Sequence, residues 1–273
     1  MGSAHVIPEQ RQHQILELLH HEPVLSYHQL AETLGVSHMT VRRDAAALAE
    51  LGRVRLTQGG VAAAHSMGAE PPRRDKATVN TDAKEAISRA AAELVEDSMA
   101  IYLDAGTTIS AMVPLLGSRR DLTVVTNDLS TATALLGHPG MDLIMVGGRV
   151  DQPNHSTVGR LAAQTLAELS LDVAFLSCSS WDAGHGVTTP VEAKIDPKRT
   201  AIASASRSVL MADSAKFGSF ARHRVLRLTD VDRIITDDGL DPSDAERVAA
   251  LGVDLVRATV PRPRPSRPRL SRP

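Results

Sequence analysis

Along the first sixty residues the apolar positions fall into short helical stripes. From Glu9 to His20, the side chains Ile15, Leu16, Leu18 and Leu19 form one compact face, and the segment HEPVLS breaks the run at Pro23. Ser26 is placed to cap a second short helix, YHQLAETL, in which Leu30, Ala31 and Leu34 turn inward. Gly35 ends that helix in the left-handed conformation glycine tolerates, and Val36 plugs the corner. Ser37 then caps a third helix, HMTVRRDAAALAEL, with Val41, Ala45, Leu48 and Leu51 inward and a stop at Gly52. RVRLTQGGV alternates Val54 and Leu56 before a Gly59–Gly60 turn, which predicts a β-hairpin. Two short helices joined by a glycine-containing turn and followed by a hairpin predict a winged helix-turn-helix domain over residues 8–61.

The pattern changes after that. Residues 62–80 carry a Pro-Pro pair, Gly68 and no apolar periodicity, and so predict a linker in which Arg73, Arg74 and Lys76 form a solvated charge run or track a DNA backbone. From Asp82, DAKEAISRAAAELVED opens with an Asp-x-x-Glu capping box and has apolar residues at helical spacing. Short apolar runs then recur (MAIYL, LTVVT, DLIMV, DVAFLS, SVLMA and DRIIT), alternating with helical segments such as LSTATALL, LAAQTLAEL and PSDAERVAALG. Continuous apolar strands between helices imply an α/β domain over 81–257 with a mainly parallel sheet covered by helices. The tail 258–273 is rich in Pro and Arg and is expected to be an extended, disordered basic strand.

Composition narrows the chemistry. Hydrophobic residues are 42% of the chain but aromatics only 2%, so the core must be aliphatic. Cys178 is the only cysteine, which excludes an internal disulfide and any multi-cysteine zinc site. No apolar run is long enough to cross a bilayer and the N-terminus has no apolar leader, so a soluble cytoplasmic protein with no membrane partner is expected. Nothing calls for a metal or a cofactor.

A formal charge of −2 supplies no global field for a polyanion, so DNA binding must come from local placement. With Val41, Ala45 and Leu48 inward, Ser37, His38, Thr40, Arg42, Arg43 and Asp44 sit on or beside the outward face of the third helix. The start of such a recognition helix is where side chains reach base edges in the major groove, and arginine binds guanine bidentately. Ser26 and Tyr27 at the preceding helix start, and Arg53 and Arg55 on the wing, complete the candidate double-stranded DNA surface. Taken alone, Arg42 and Arg43 read as a solvated pair; the helix-turn-helix-wing pattern reverses that. Acidic residues slightly outnumber basic ones up to Val61, so binding should need two such domains across a two-fold site, hence a homodimer or higher homo-oligomer. Six histidines, including His5, would strengthen binding at lower pH if they faced phosphates.

In parallel sheets ligands bind beyond the carboxyl ends of strands. Polar, flexible residues follow four of the predicted strands: Asp104, Gly106, Thr107 and Thr108; Thr126, Asn127 and Asp128; Gly147 and Gly148; and Asp213 to Gly218, with Lys216 as a compact charge. Each group alone reads as a helix cap or a turn. Four together suit a phosphorylated polyol, with Thr107, Thr108 and nearby amides holding the phosphate.

The stretch VSHMTVRRDAAALAELGRVRLTQGGV closely resembles the DNA-binding signature of the DeoR family of bacterial transcriptional regulators, with its Thr-Val-Arg-Arg-Asp core; Ala45 stands where the family commonly has leucine. The four strand-end motifs resemble the family's effector domain, which is similar in fold to ribose-5-phosphate isomerase and binds a phosphorylated sugar or related metabolite. The resemblance implies a ligand-responsive regulator, most often a repressor of carbohydrate or related metabolic genes, and not an enzyme. The segment AFLSCSSWDAGHGVTT fits the family's loop before the helix carrying Lys198 and Arg199, with Cys178 and Trp181 where small residues are commoner, a departure that bears on the pocket's shape. The alternative is a sugar-phosphate isomerase with an accessory DNA-binding domain. Asp104, Asp128 and Lys216 would be its proton-transfer candidates, but the isomerases' Asp-Gly-x-Asp segment is missing, and SCSSWDAG offers only Asp182 in its place.

Overall fold

The computed structural model describes residues 7–22, 24–50, 53–63 and 70–261. The N-terminal domain runs α1 (Pro8–His21), β1 (Val24–Ser26), α2 (Tyr27–Leu34), α3 (His38–Glu50), β2 (Val54–Thr57) and β3 (Gly60–Ala63). Ser26 caps α2 through a reciprocal box with Gln29, accepting the Gln29 amide at 3.1 Å. Gly35 ends that helix at φ 63°, in the left-handed region. Ile15, Leu30, Val41, Ala45 and Leu48 close a small core in which each is essentially buried. Leu51 and Gly52 lie outside the described residues, as does His5.

Two local expectations change. The wing is three-stranded, because β1 pairs antiparallel with β3, a partner too short for periodicity to signal. The hairpin turn uses Gln58 and Gly59, and Gly60 belongs to β3, paired with Thr57.

The second domain continues with α4 (Arg73–Ala77), α5 (Thr81–Ala92), β4 (Ala100–Leu103), α6 (Thr107–Ser110), β5 (Leu122–Thr126), α7 (Leu129–Leu135), β6 (Met141–Met145), β7 (Arg149–Asp151) and β8 (Ser156–Val158). It is completed by α8 (Arg160–Ala167), β9 (Leu171–Leu176), β10 (Ser180–Asp182), β11 (Gly186–Thr189), α9 (Ile195–Ala203), β12 (Ala205–Met211), β13 (His223–Leu226), β14 (Arg233–Asp237), α10 (Pro242–Ala249) and β15 (Asp254–Ala258). All six apolar runs form strands of one seven-stranded sheet, in the order β15-β14-β12-β9-β4-β5-β6. Every pairing within it is parallel. Residues alternate across it: Tyr102, Ala174, Leu176 and Leu210 pack toward α8 and α9, while Ile101, Leu103, Val173 and Phe175 pack toward α5. Each such large side chain contributes roughly 1.5–3 kcal/mol of burial.

The expected box at Asp82 does not form. The helix begins at Thr81, two residues before the box would start it, after Asn80 at φ 54°, and Glu85 pairs with Arg89 at 2.9 Å. The linker expectation also changes. Ala62 and Ala63 finish the wing, residues 64–69 lie outside the described set, and Glu70 to Asn80 pack on the sheet domain through α4. The tail beyond Pro261 lies outside the described residues. None of the described helices is long and apolar enough to span a membrane.

Candidate functional site

The first surface is α3 with the wing. Ser37 caps α3, accepting the Thr40 amide at 3.2 Å, and its hydroxyl meets that of Thr40 at 2.9 Å. His38, Arg42, Arg43 and Arg55 are exposed. The Arg42 guanidinium lies 5.1 Å from the centroid of the Tyr27 ring, a cation–π contact that steadies the arginine without neutralising it. Asp44 and Arg53 depart from the sequence reading. Asp44 is buried and accepts from Arg11 Nε at 2.8 Å, so it ties α3 to α1. Arg53 turns toward the second domain, where its guanidinium approaches the Phe217 carbonyl at 3.5 Å. Burial lowers its pKa, partly offset by Asp244 and Asp241.

The second site lies where the sheet changes its direction of construction. From β4 the chain builds outward through β5 and β6, then returns through β9 on the other flank of β4. A cleft opens beyond such a switch point. Asp104, at the end of β4, accepts the Ser177 amide and hydroxyl, each at 2.8 Å, and is bonded to Lys198 of α9. Gly106 is required here by space: a Cβ would stand 2.8 Å from that of Ser177. Asp128 caps α7 with one oxygen and with the other accepts the Gly106 amide at 3.2 Å and Arg73 Nη1 at 2.6 Å.

Four cations line this cavity: Arg73 and Lys76 from the segment read as a linker, and Lys194 and Lys198. Lys76 donates to Glu70 at 2.5 Å and to Asn154 at 2.6 Å; Lys194 donates to the other Glu70 oxygen at 2.6 Å. Burial alone would raise the Glu70 carboxyl, but Lys194 and Lys76 hold it down at about 2. Lys194 is pushed up, since Glu70 and Asp151 outweigh its burial. Ser156 Oγ, on β8 in the cavity wall, makes no hydrogen bond among the described residues. No group of three or more His, Cys, Asp or Glu side chains suited to a metal occurs among the described residues.

The structure brings Asp104, Gly106, Thr107 and Asn127 to this cavity. Thr126 and Asn127 are committed internally: the Thr126 hydroxyl donates to the Leu103 carbonyl, and the Asn127 amide side chain bonds Ala105 N and the Thr157 carbonyl. The Ala105 and Gly106 amides are thereby occupied and do not form an open anion cradle. Thr108 is buried and not in the lining, and Gly147 and Gly148 are exposed outside it. Lys216 lines an adjoining cavity and pairs with Asp213 at 3.3 Å. Cys178 borders both cavities with its thiol pushed up by burial to about 11, while Trp181 is wholly buried edge-on to Phe217 at 4.8 Å. Asp182 is engaged by His185 at 2.9 Å, in the groove facing the N-terminal domain.

The sequence reading missed Glu70, Arg73, Lys76, Asn154, Ser156, Ser177 and Lys194. The charged run after Pro71-Pro72 was visible, but nothing in it told docked from solvated.

The comparisons agree with this division. Residues 11–67 match the DeoR-like helix-turn-helix domain, and residues 79–238 match the DeoR C terminal sensor domain. An HTH-type transcriptional regulator of Haemophilus influenzae is 40% identical over 92% of this chain and 97% of its own length. The regulator YgbI of Escherichia coli is 43% identical over 93% and 99%, and the transcriptional repressor AccR of Agrobacterium fabrum is 32% identical over 85% and 90%. Among solved structures, ribose 5-phosphate isomerase A of Methanocaldococcus jannaschii gives a TM-score of 0.38 at 17% identity, over 50% of this chain and 55% of that one. With an N-terminal helix-turn-helix and a sensor domain, both matched in order, the chain belongs to the DeoR family of transcriptional regulators.

Proposed function

We propose that the chain is a repressor that binds a two-fold DNA operator as a homodimer or higher oligomer, and that a phosphorylated sugar or similar metabolite bound in the sensor domain alters that binding. The observation carrying the ligand reading is the convergence of Arg73, Lys76, Lys194 and Lys198 at the switch point of the sheet, beside a Ser156 hydroxyl with no hydrogen-bond partner among the described residues. Ammonium and guanidinium groups with nearby hydroxyls suit a phosphate ester on a polyol. The exposed Arg42, Arg43 and Arg55 supply base and phosphate contacts, with His38 and Thr40 beside them, while Ser26, Ser37 and Tyr27 set the helix starts. Repression is the activity named for the relative AccR.

The isomerase alternative is weaker because a transferable proton needs an available base. Asp104 is held by Lys198 and Ser177, Asp128 by Arg73 and the α7 cap, and Lys216 by Asp213. We therefore read the chain as a non-enzymatic, cytoplasmic regulator.

Fluorescence anisotropy on DNA from upstream of its own and neighbouring genes tests this, with and without a panel of sugar phosphates. Specific binding that one of them shifts is the expected result. Turnover of those compounds, with no specific DNA complex under any condition, overturns it.

A further inference from the structure

Each of the four cations lining the Ser156 cavity already faces a carboxylate, as does Lys216 in the adjoining one, where Lys84 alone is held by backbone carbonyls. Lys198 is paired with Asp104, Arg73 with Asp128, Lys216 with Asp213, and Lys76 and Lys194 with Glu70. A phosphate ester brings close to two negative charges, so it cannot enter the Ser156 cavity unless a carboxylate leaves. Most of these acids cannot leave cheaply. Asp104 holds the Ser177 amide, Asp128 caps α7, Asp213 accepts from Asn80 at 3.2 Å, and Asp151, the second partner of Lys194, accepts from Asn154 at 3.1 Å. Glu70 is different. Its carboxylate bonds only to the Lys76 and Lys194 ammonium groups among the described residues, and it holds no backbone group.

Its position has a second consequence. The cavity holding Ser156 has a volume of about 30 Å³, room for roughly one water, whereas the adjoining one beside Lys216 has about 190 Å³. Glu70 and Lys76 border both, as do Thr107, Cys178 and Ser179. Removing the Glu70 side chain takes down part of the wall between them.

We infer that Glu70 occupies the anion subsite of the sensor, and that the phosphate group of the ligand binds by replacing its carboxylate between Lys76 and Lys194. This rests on the reading of the cleft as a phosphate-ester site. The Ser156 hydroxyl supplies the hydrogen bond that the carboxylate leaves unused, and Thr107 and Ser179 face the polyol. The carboxylate belongs to the segment that joins the sensor to the DNA-binding domain, seven residues beyond the end of β3. Anion binding therefore releases that segment's first anchor among the described residues, while Lys84, which donates to the Lys76 and Val79 carbonyls, keeps its far end in place.

The test is isothermal titration of the full chain with inorganic phosphate, ribose 5-phosphate and unphosphorylated ribose, for the wild type, Glu70→Gln and Lys194→Gln. Glu70→Gln should bind both phosphate-containing probes at least about tenfold tighter than the wild type. Lys194→Gln should weaken them, and ribose alone should show neither change. Glu70→Ser measures the same quantity if the glutamine variant does not fold. In the wild type, hydrogen exchange at the Asp75 and Lys76 amides, which bond the Pro72 carbonyl, should rise on adding ribose 5-phosphate. Phosphate binding that is unchanged or weaker in the Glu70 variants overturns the inference but leaves the phosphate site standing. Failure of every form to bind either phosphate probe overturns both.

Discussion

The two domains use charge in opposite ways. On α3 and the wing, Arg42, Arg43 and Arg55 are exposed and carried by a small aliphatic core that does nothing but aim them. In the sensor cleft Arg73, Lys76, Lys194 and Lys198 are buried or half-buried, and each is matched to an acid. On the function proposed above, the difference follows from the two targets. DNA phosphates are abundant and solvated, so exposed arginines trade counterions for them at little cost. A small ligand must be selected among many anions, and a pre-neutralised site admits only one that outcompetes its own carboxylate.

Four experiments sharpen or break that contrast. The largest effect is expected for Asp104→Ala, which leaves Lys198 buried without its partner and the Ser177 amide unsatisfied; a loss of about 3–5 kcal/mol should appear in urea unfolding. A smaller loss would mean that the sensor charges are less interdependent than their geometry indicates. Next is the acid limb. Glu70 is ionised in the fold down to about pH 2, against an ordinary value of 4.5, so its contribution is complete above 4.5 and fades as pH falls toward 2. That contribution is of the order of 3 kcal/mol, and an unfolding difference between wild type and Glu70→Gln that persists unchanged through this window would contradict it.

On the DNA side, Arg42→Ala and Arg43→Ala should each cost about 1–3 kcal/mol of operator affinity with the sensor's melting temperature unmoved. The smallest effect separates the two wing arginines. Arg55→Ala should reduce the salt dependence of binding by about one unit of slope, whereas Arg53→Ala, facing Phe217, should leave the slope alone. Equal slopes for both variants would return Arg53 to the DNA surface.

The N-terminal domain was legible because a single apolar face fixes where every other side chain points. Val41, Ala45 and Leu48 on one side of α3 suffice to put Arg42 and Arg43 on the other. The six main strands were legible for a related reason, being uninterrupted apolar runs. What escaped were features whose partners lie far along the chain. β1 has three residues and gains its identity only from β3. β15 reads DLVRA, whose pattern is half polar at the sheet edge. Asp44 lies on the polar side of its helix by spacing, yet Arg11 draws it inward. The segment from Glu70 to Lys76 has the composition of a linker, and only Asp128 after β5, Asn154 in the β7–β8 turn and Lys194 make it part of a site. Gly147 and Gly148 matched a ligand-binding pattern, but the turn they form leads into β7 and away from the cavity.

The switch in strand order between β4 and β9 also sets a sequence of events in the making of the protein. Asp104 meets Ser177 73 positions later and Lys198 94 positions later, so no sensing site exists until most of the chain has been synthesised and β9 has docked beside β4. The DNA-binding core, by contrast, closes within the first 63 residues. On a ribosome that delivers roughly 5–20 residues per second, the DNA-binding core is complete several seconds before the cleft in the second domain.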